Sequence, residues 1–109
     1  MPDAPALTTT IVAPRDCADM PALRAQIDRV DRALVALIAE RTGYIARAAE
    51  IKQRRDTVHD AARIEDVVSK VKRTAAELGA PEELVEAVWR ELIARSIAHE
   101  YVKFDAKAP

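Results

Sequence analysis

The prolines of this 109-residue chain fall at positions 2, 5, 14, 21, 81 and 109, so residues 22–80 contain none. Into that gap the sequence writes an apolar stripe: Leu23, Ile27, Val30, Leu34 and Leu37, then Ile45 and Ala48. Steps of three and four gather side chains on one face of an α-helix, and without proline nothing in the run breaks the backbone ladder. The spacing predicts one helix that begins around Asp19–Pro21, with Asp19 as its cap and Pro21 in the tolerated first turn. It is expected to fray near Asp56–Thr57, after the basic run Lys52-Gln53-Arg54-Arg55 has met the negative end of the helix dipole. A helix over residues 22–55 spans about 50 Å at the usual rise. A compact chain of this length has a radius of gyration of only about 13 Å.

Two shorter helices follow. Asp60 is placed to cap the second, which carries Ile64, Val67, Val68, Val71, Ala75 and Leu78 on one face and closes at Gly79. Pro81-Glu82-Glu83 opens the third, whose apolar face holds Val85, Val88, Trp89, Leu92, Ile93 and Ile97. Only two glycines and 4% aromatics argue against a β-rich fold and against a glycine-rich phosphate loop. The expected class is all-α, with one long and two shorter helices. Residues 1–18 read as a mobile N-terminal tail, 19–105 as the helical domain and 106–109 as a C-terminal tail. Two short helices cannot cover the whole stripe of a helix this long, so a second copy is expected to do so, giving an intertwined helical homodimer.

Charge excludes several functions. The 17 Lys and Arg nearly cancel the 18 Asp and Glu, leaving no bulk field for nucleic acid or anionic lipid. Cys17 is the sole cysteine, and no Cys/His group has metal-ligand spacing, so no metal and no internal disulfide are expected. The N-terminus lacks the basic region and apolar core of a secretory leader, and no apolar run approaches the roughly 18 residues of a membrane helix. A cytoplasmic protein without membrane attachment is expected.

The informative charges are those on apolar faces. On a helical wheel Arg41 and Lys52 fall within about 20° of the centre of the first helix's stripe, and Arg24 lies at its flank. A buried cation needs an anion or a route to water. Either these two pair with acids on neighbouring helices, or they await an anionic ligand. In the third helix Ser96 and Glu100 interrupt the apolar face in the same way, and Arg63 opens the stripe of the second. A carboxyl at Glu100 is either a partner for a cation or a group pushed toward its neutral form. Several inward cations, a hydroxyl and a carboxyl suggest a dry pocket for a small dianion. Arg24 and Arg41 stand about 25 Å apart on one helix, so they can share a ligand only if an antiparallel partner brings its own Arg24 to the Arg41–Lys52 end.

The segment LRAQIDRVDRALVALIAER, then AAEIK, VHDAARIEDV and ELIARSIAHE, resembles the all-helical class of chorismate mutases over about residues 19–104. Asp16-Cys17 and the overall spacing are similar to the isochorismate-pyruvate lyase branch of that fold. The resemblance implies an intertwined dimer of three-helix chains, no cofactor, and the Claisen rearrangement of chorismate to prephenate. It implies that Arg24 reaches a substrate carboxylate from the partner subunit and that Arg41 clamps a carboxylate within its own. Lys52 would bond a carboxylate and the ether oxygen, Arg63 would support the far side of the pocket, and Ser96 would bond a carboxylate. Asp60 would act mainly through its backbone near the ring hydroxyl, and Glu100 would sit beside the ether oxygen, donating to it only when protonated.

Two positions depart from the mutase pattern in opposite directions. Ile64 stands where mutases carry a Glu that reads the ring hydroxyl, as in the lyase branch, whereas Glu100 stands where lyases carry Gln. Chorismate mutase is the favoured reading, with isochorismate-pyruvate lyase as its alternative. A reading of another class, a non-enzymatic helical adaptor or nucleic-acid binder, rests on Lys52-Gln53-Arg54-Arg55 with Lys70, Lys72 and Arg73, which no aromatic residues interleave. His59 and His99 read as surface or loop residues, Trp89 as core, and Tyr44 and Tyr101 as packing or pocket wall.

Overall fold

The structure, a computed structural model, describes residues 10–107; the outer parts of both expected tails, residues 1–9 and 108–109, lie outside the described residues. Three α-helices carry the fold, α1 (Met20–Ile51), α2 (Ala61–Leu78) and α3 (Glu82–Ala106), and there is no strand among the described residues. Short 3-10 turns at Pro14–Asp16 and Arg55–Thr57 precede α1 and α2. The chain divides into two compact units, one ending at Arg41 and the other beginning at Thr42, with α1 running through both.

In the first unit α1 starts where its cap dictates. Asp19 Oδ1 accepts from Ala22 N at 2.9 Å, and the Asp19 carbonyl accepts from Leu23 N at 3.0 Å. The segment before it is tied down by Gln26 Nε2, which donates to the Thr10 carbonyl at 2.8 Å. Val12, Pro14 and Cys17 line a groove with Leu23, Ile27 and Val30, and so flank only the beginning of the apolar stripe. Beyond it the stripe is open: Ile27 and Leu34 keep 50% of their surface exposed and Leu37 keeps 61%. The sequence reads these residues as core, and one chain does not make them so.

The second unit contains the end of α1, the 3-10 turn, α2 and α3, with α2 packed on α3. Asp60 Oδ1 accepts from Arg63 N at 3.0 Å and caps α2 as expected. Gly79 ends that helix in the left-handed region, at φ 75° and ψ 22°, where a side chain would be strained. Pro81 then caps α3. The core is small: Ala49, Val58, Val68, Ala75 and Ile93 are buried, and with them Glu100. Ile64, Val67, Val71, Val85, Trp89, Leu92 and Ile97 are half-buried around it. Leu78, expected in the core, is 79% exposed because it is the last residue of α2, at the point where Gly79 turns the chain away. Val88 is also exposed, on the outer side of α3.

One boundary differs. α1 stops at Ile51, short of Asp56–Thr57. The Lys52 amide still bonds the Ala48 carbonyl at 2.9 Å, but Arg54 is extended, at φ −125° and ψ 133°. Local side chains hold this break: Arg54 Nε donates to Asp56 Oδ1 at 3.1 Å, and Thr57 Oγ1 donates to the Arg54 carbonyl at 2.7 Å. Such side-chain bonds offer the backbone an alternative to continued helix, a competition that charge patterning alone does not reveal.

Across the outer surface of α2 and α3 Arg90 donates to both Glu65 oxygens, at 3.0 and 3.1 Å, and to Glu86 at 2.9 Å, while Lys72 pairs with Glu86 at 3.1 Å. The hydrogen bond from Arg90 holds Glu65 below the usual carboxylate range, and those from Lys72 and then Arg90 do the same for Glu86. Depressed carboxylates stabilise the fold above their ordinary range, and the contribution is lost as pH falls through the lowered values. Because the network is exposed, salt screens it. Arg90→Gln is therefore expected to lower Tm slightly at neutral pH and low salt. The difference from wild type should shrink in 1 M salt and again below about pH 3, as calorimetry at each condition would register.

Candidate active site

The centre of the site is an ion pair. Lys52 follows the last residue of α1, and its ammonium lies 2.7 Å from Glu100 Oε2 on α3. The Glu100 side chain keeps 5% of its surface and that of Lys52 keeps 29%. Of the two readings of a carboxyl on the apolar face of α3, the geometry selects the partner for a cation. The pairing is unusual in one respect. Glu100 Oε2 is buried and accepts no well-aligned hydrogen bond, so the ammonium meets it as a charge standing beside it. Buried oxygens are nearly always hydrogen-bonded, and an exception calls for a chemical explanation. The Lys52 ammonium, still partly exposed beside this carboxyl, remains able to donate to a ligand.

Around this pair the structure distributes the other expected residues unevenly. Ser96 lies one turn before Glu100 on α3 and is half-buried. Ile64, also half-buried, lines a groove of about 270 Å³ with His59, Arg90, Ile93, Ala94 and Ile97. Its wall is mainly aliphatic, and Ile93 and Ile97 flank Ser96 along α3. Asp60 is exposed and spends its side chain on capping α2. Arg63 is exposed too, and its guanidinium donates to Asp66 at 2.8 Å, an acid that also binds Lys70 at 2.9 Å. Lys70 is the first cause that keeps Asp66 below the ordinary carboxylate range, with Arg63 acting in the same direction. Arg24 and Arg41 belong to the first unit, Arg24 exposed and Arg41 half-buried on α1. His59 is exposed, as expected.

The basic cluster that suggests nucleic acid is largely neutralised. Arg54 binds Asp56, Arg55 binds Asp105, Lys70 binds Asp66 and Lys72 binds Glu86. Lys52, the first residue of that run, is the one turned inward. No group of His, Cys, Asp and Glu among the described residues is arranged to hold a metal ion, and no described helix is long and apolar enough to cross a membrane.

Lys107, Phe104, Asp105 and Tyr101 escape a reading by periodicity. Lys107 donates to the carbonyls of Ala49 and Lys52 at 2.9 and 2.5 Å, and Arg55 makes a two-point contact with Asp105 at 2.9 and 3.3 Å. These bonds join residues 50 or more positions apart. The only local signal is a cluster of charge and aromatics at the end of α3.

Comparison with known proteins adds a sequence match over most of the chain. The family model described as chorismate mutase type II matches residues 23–101. A protein of Enterobacter agglomerans named T-protein is 34% identical over 84 residues, which is 76% of this chain and 22% of that relative. The chain thus spans about a fifth of the length of the curated relative it matches.

Removing the cation should leave the carboxylate stranded. Lys52→Met is expected to cost about 2 kcal/mol, below the 3–5 kcal/mol typical of fully buried pairs because Lys52 is partly exposed. Lys52→Met with Glu100→Gln should recover most of that loss, as urea denaturation at one fixed protein concentration would measure.

Proposed function

The chain belongs to the chorismate mutase type II family, and we propose that it converts chorismate to prephenate by an intramolecular Claisen rearrangement. The observation that carries this reading is the Lys52–Glu100 pair at 2.7 Å, in which a buried carboxyl holds a part-exposed ammonium that can still donate to a ligand. The rearrangement needs neither nucleophile nor proton shuttle. It needs the reactive conformer held in place and donors set where negative charge grows on the ether oxygen.

In this reading Lys52 donates to the ether oxygen and to one substrate carboxylate, and Glu100, beside the same oxygen, holds Lys52 and can itself donate there only in its protonated form. Arg41 holds a carboxylate through its fork of N–H donors. Ser96 adds a hydroxyl contact, and the backbone at Asp60 meets the ring hydroxyl. Arg63 exchanges Asp66 for the substrate, an inexpensive swap because an exposed ion pair is worth about 1 kcal/mol or less. Arg24 comes from a second copy of the chain. That copy covers Ile27, Val30, Leu34 and Leu37, each of which has apolar surface left to bury at about 25 cal/mol per Å². Half-exposed aliphatics in such a row are the signature of an interface. The site is thereby shared, with two per homodimer, in a cytoplasmic enzyme that uses no cofactor or metal.

A second reading is favoured by one observation. Ile64 belongs to an aliphatic wall with Ile93, Ala94 and Ile97, and offers no polar group to a ring hydroxyl there. That feature suits isochorismate-pyruvate lyase, which yields salicylate and pyruvate. Separate incubations with chorismate and isochorismate decide between them. Prephenate from chorismate in excess of salicylate from isochorismate is the expected result, and the reverse would make the lyase the principal activity. Turnover of neither, with a retarded band on a nucleic-acid gel at low salt, would point to the binding role.

Shared sites make a further test available. Arg24→Ala and Lys52→Met homodimers should each be inactive. Unfolding and refolding an equal mixture should restore about one quarter of wild-type activity, because half the dimers are mixed and each of those has one intact site. No recovery on mixing, or a folded monomer in sedimentation equilibrium, would remove the shared site.

A further inference from the structure

Lys52 stands at the frayed end of a helix, a poor place to hold a side chain accurately. The last carbonyls of any helix lack intrahelical partners, and α1 has no glycine beyond Ile51 to satisfy them. The residues that do so come from the far end of α3. Lys107 Nζ donates to the carbonyl of Ala49 at 2.9 Å and to that of Lys52 at 2.5 Å, and rests 4.1 Å from the centre of the Phe104 ring. A cation at a helix C-terminus is also favoured by the dipole.

Beside it a second grip holds the segment that follows. Arg55 Nε and Nη2 donate to Asp105 Oδ1 and Oδ2 at 2.9 and 3.3 Å, while its guanidinium carbon lies 4.5 Å from the centre of the Tyr101 ring. The bond from Arg55 keeps Asp105 below the usual carboxylate range. Glu100, Phe104 and Lys107 follow at steps of four and three, with Tyr101 and Asp105 in the adjacent row. One stretch of α3 therefore presents the carboxylate that meets the Lys52 ammonium, the ammonium that meets the Lys52 carbonyl, and the acid that anchors Arg55. Lys52 is held from its tip, from its backbone and from three residues downstream.

We propose that Lys107, supported by Phe104 and by the Arg55–Asp105 pair, is a positioning residue that sets the Lys52 ammonium against Glu100. The catalytic consequence rests on the reading of Lys52 as the donor to the ether oxygen. Small displacements of such a donor are costly, on the order of 100-fold for about 1 Å. Lys107 reaches Lys52 only through backbone carbonyls, so its effect belongs in the orientation of Lys52.

Lys107→Met and Lys107→Arg in the full chain test this, since a guanidinium can still bridge two carbonyls. In kinetics with chorismate, Lys107→Met should lower kcat by about 10- to 100-fold with little change in KM, and Lys107→Arg should recover most of the loss. The ¹⁵N signal of the Lys52 ammonium provides a readout that needs no turnover. It should be sharp and protected from solvent exchange in wild type, broadened in Lys107→Met and restored in Lys107→Arg. An unchanged ammonium signal in Lys107→Met overturns the proposal, as does a Lys107→Arg variant no better than Lys107→Met. If wild type turns over no chorismate while the ammonium signal responds as described, the assigned activity fails and the positioning of Lys52 stands. Asp105→Asn should shift the same signal in the same direction and by less, because Arg55 acts at one remove.

Discussion

An acidic side chain with 5% of its surface exposed needs a polar partner in a protein interior. Glu100 meets that condition only because the end of α1 delivers Lys52 to it. Much of the second unit follows from the requirement. α1 must stop where Lys52 can turn inward, so the continuation of the helix toward Thr57 is given up for a 3-10 turn. α3 must run on past Glu100 far enough for Lys107 to take the carbonyls of Ala49 and Lys52 and for Asp105 to hold the Arg55 side chain. The small core of Ala49, Val58, Val68, Ala75 and Ile93 has little apolar surface with which to fix these positions. Directional polar contacts do it instead.

The first unit is governed by the opposite situation, apolar surface with too little to cover it. Residues 30–40 of α1 are exposed without exception, although Val30, Leu34, Val35, Leu37 and Ile38 are among them. A lone helix in water gains little from such a face. In the proposed dimer the surface that stabilises α1 is also the surface that brings Arg24 to the other subunit's Lys52. Folding and completion of the site are then the same event, and the stability of the chain depends on its concentration.

Helix starts were legible in the sequence because each is a local device. Asp19 and Asp60 accept from backbone amides three residues on, Gly79 takes the one left-handed conformation, and Pro81 opens α3. The anomaly of a cation and a carboxyl on apolar faces was legible as well, since periodicity alone marks Lys52 and Glu100 as misplaced, and the structure pairs them. What escaped was non-local. Nothing near Ile51 announces that Lys107 will take the carbonyls of Ala49 and Lys52, and nothing near Leu78 shows that the turn leaves it in water. Arg63 was visible as a cation at the head of α2, but its present partner Asp66 is an ordinary surface acid, and only a bound anion would distinguish capping from recognition.

The wall at Ile64 limits how selective such a site can be. An aliphatic surface discriminates weakly between isomers that differ in the placement of a hydroxyl, commonly by only 10- to 200-fold, whereas a polar group built to bond that hydroxyl rejects its absence by about 10⁴ or more. In the proposed site Ile64, Ile93, Ala94 and Ile97 line one groove with His59 and Arg90, so selectivity there would rest on those two polar side chains, on Asp60, Ser96 and Glu100, and on the spacing of the cations. Those cations read carboxylates, which chorismate and isochorismate share. Under the proposed function such a site would hold both dianions in similar poses and separate them mainly by how well the ether oxygen of each meets Lys52. On that proposal the accuracy with which Lys52 is held would govern selectivity as well as rate, because the same donor is asked to recognise one geometry of bond breaking over another.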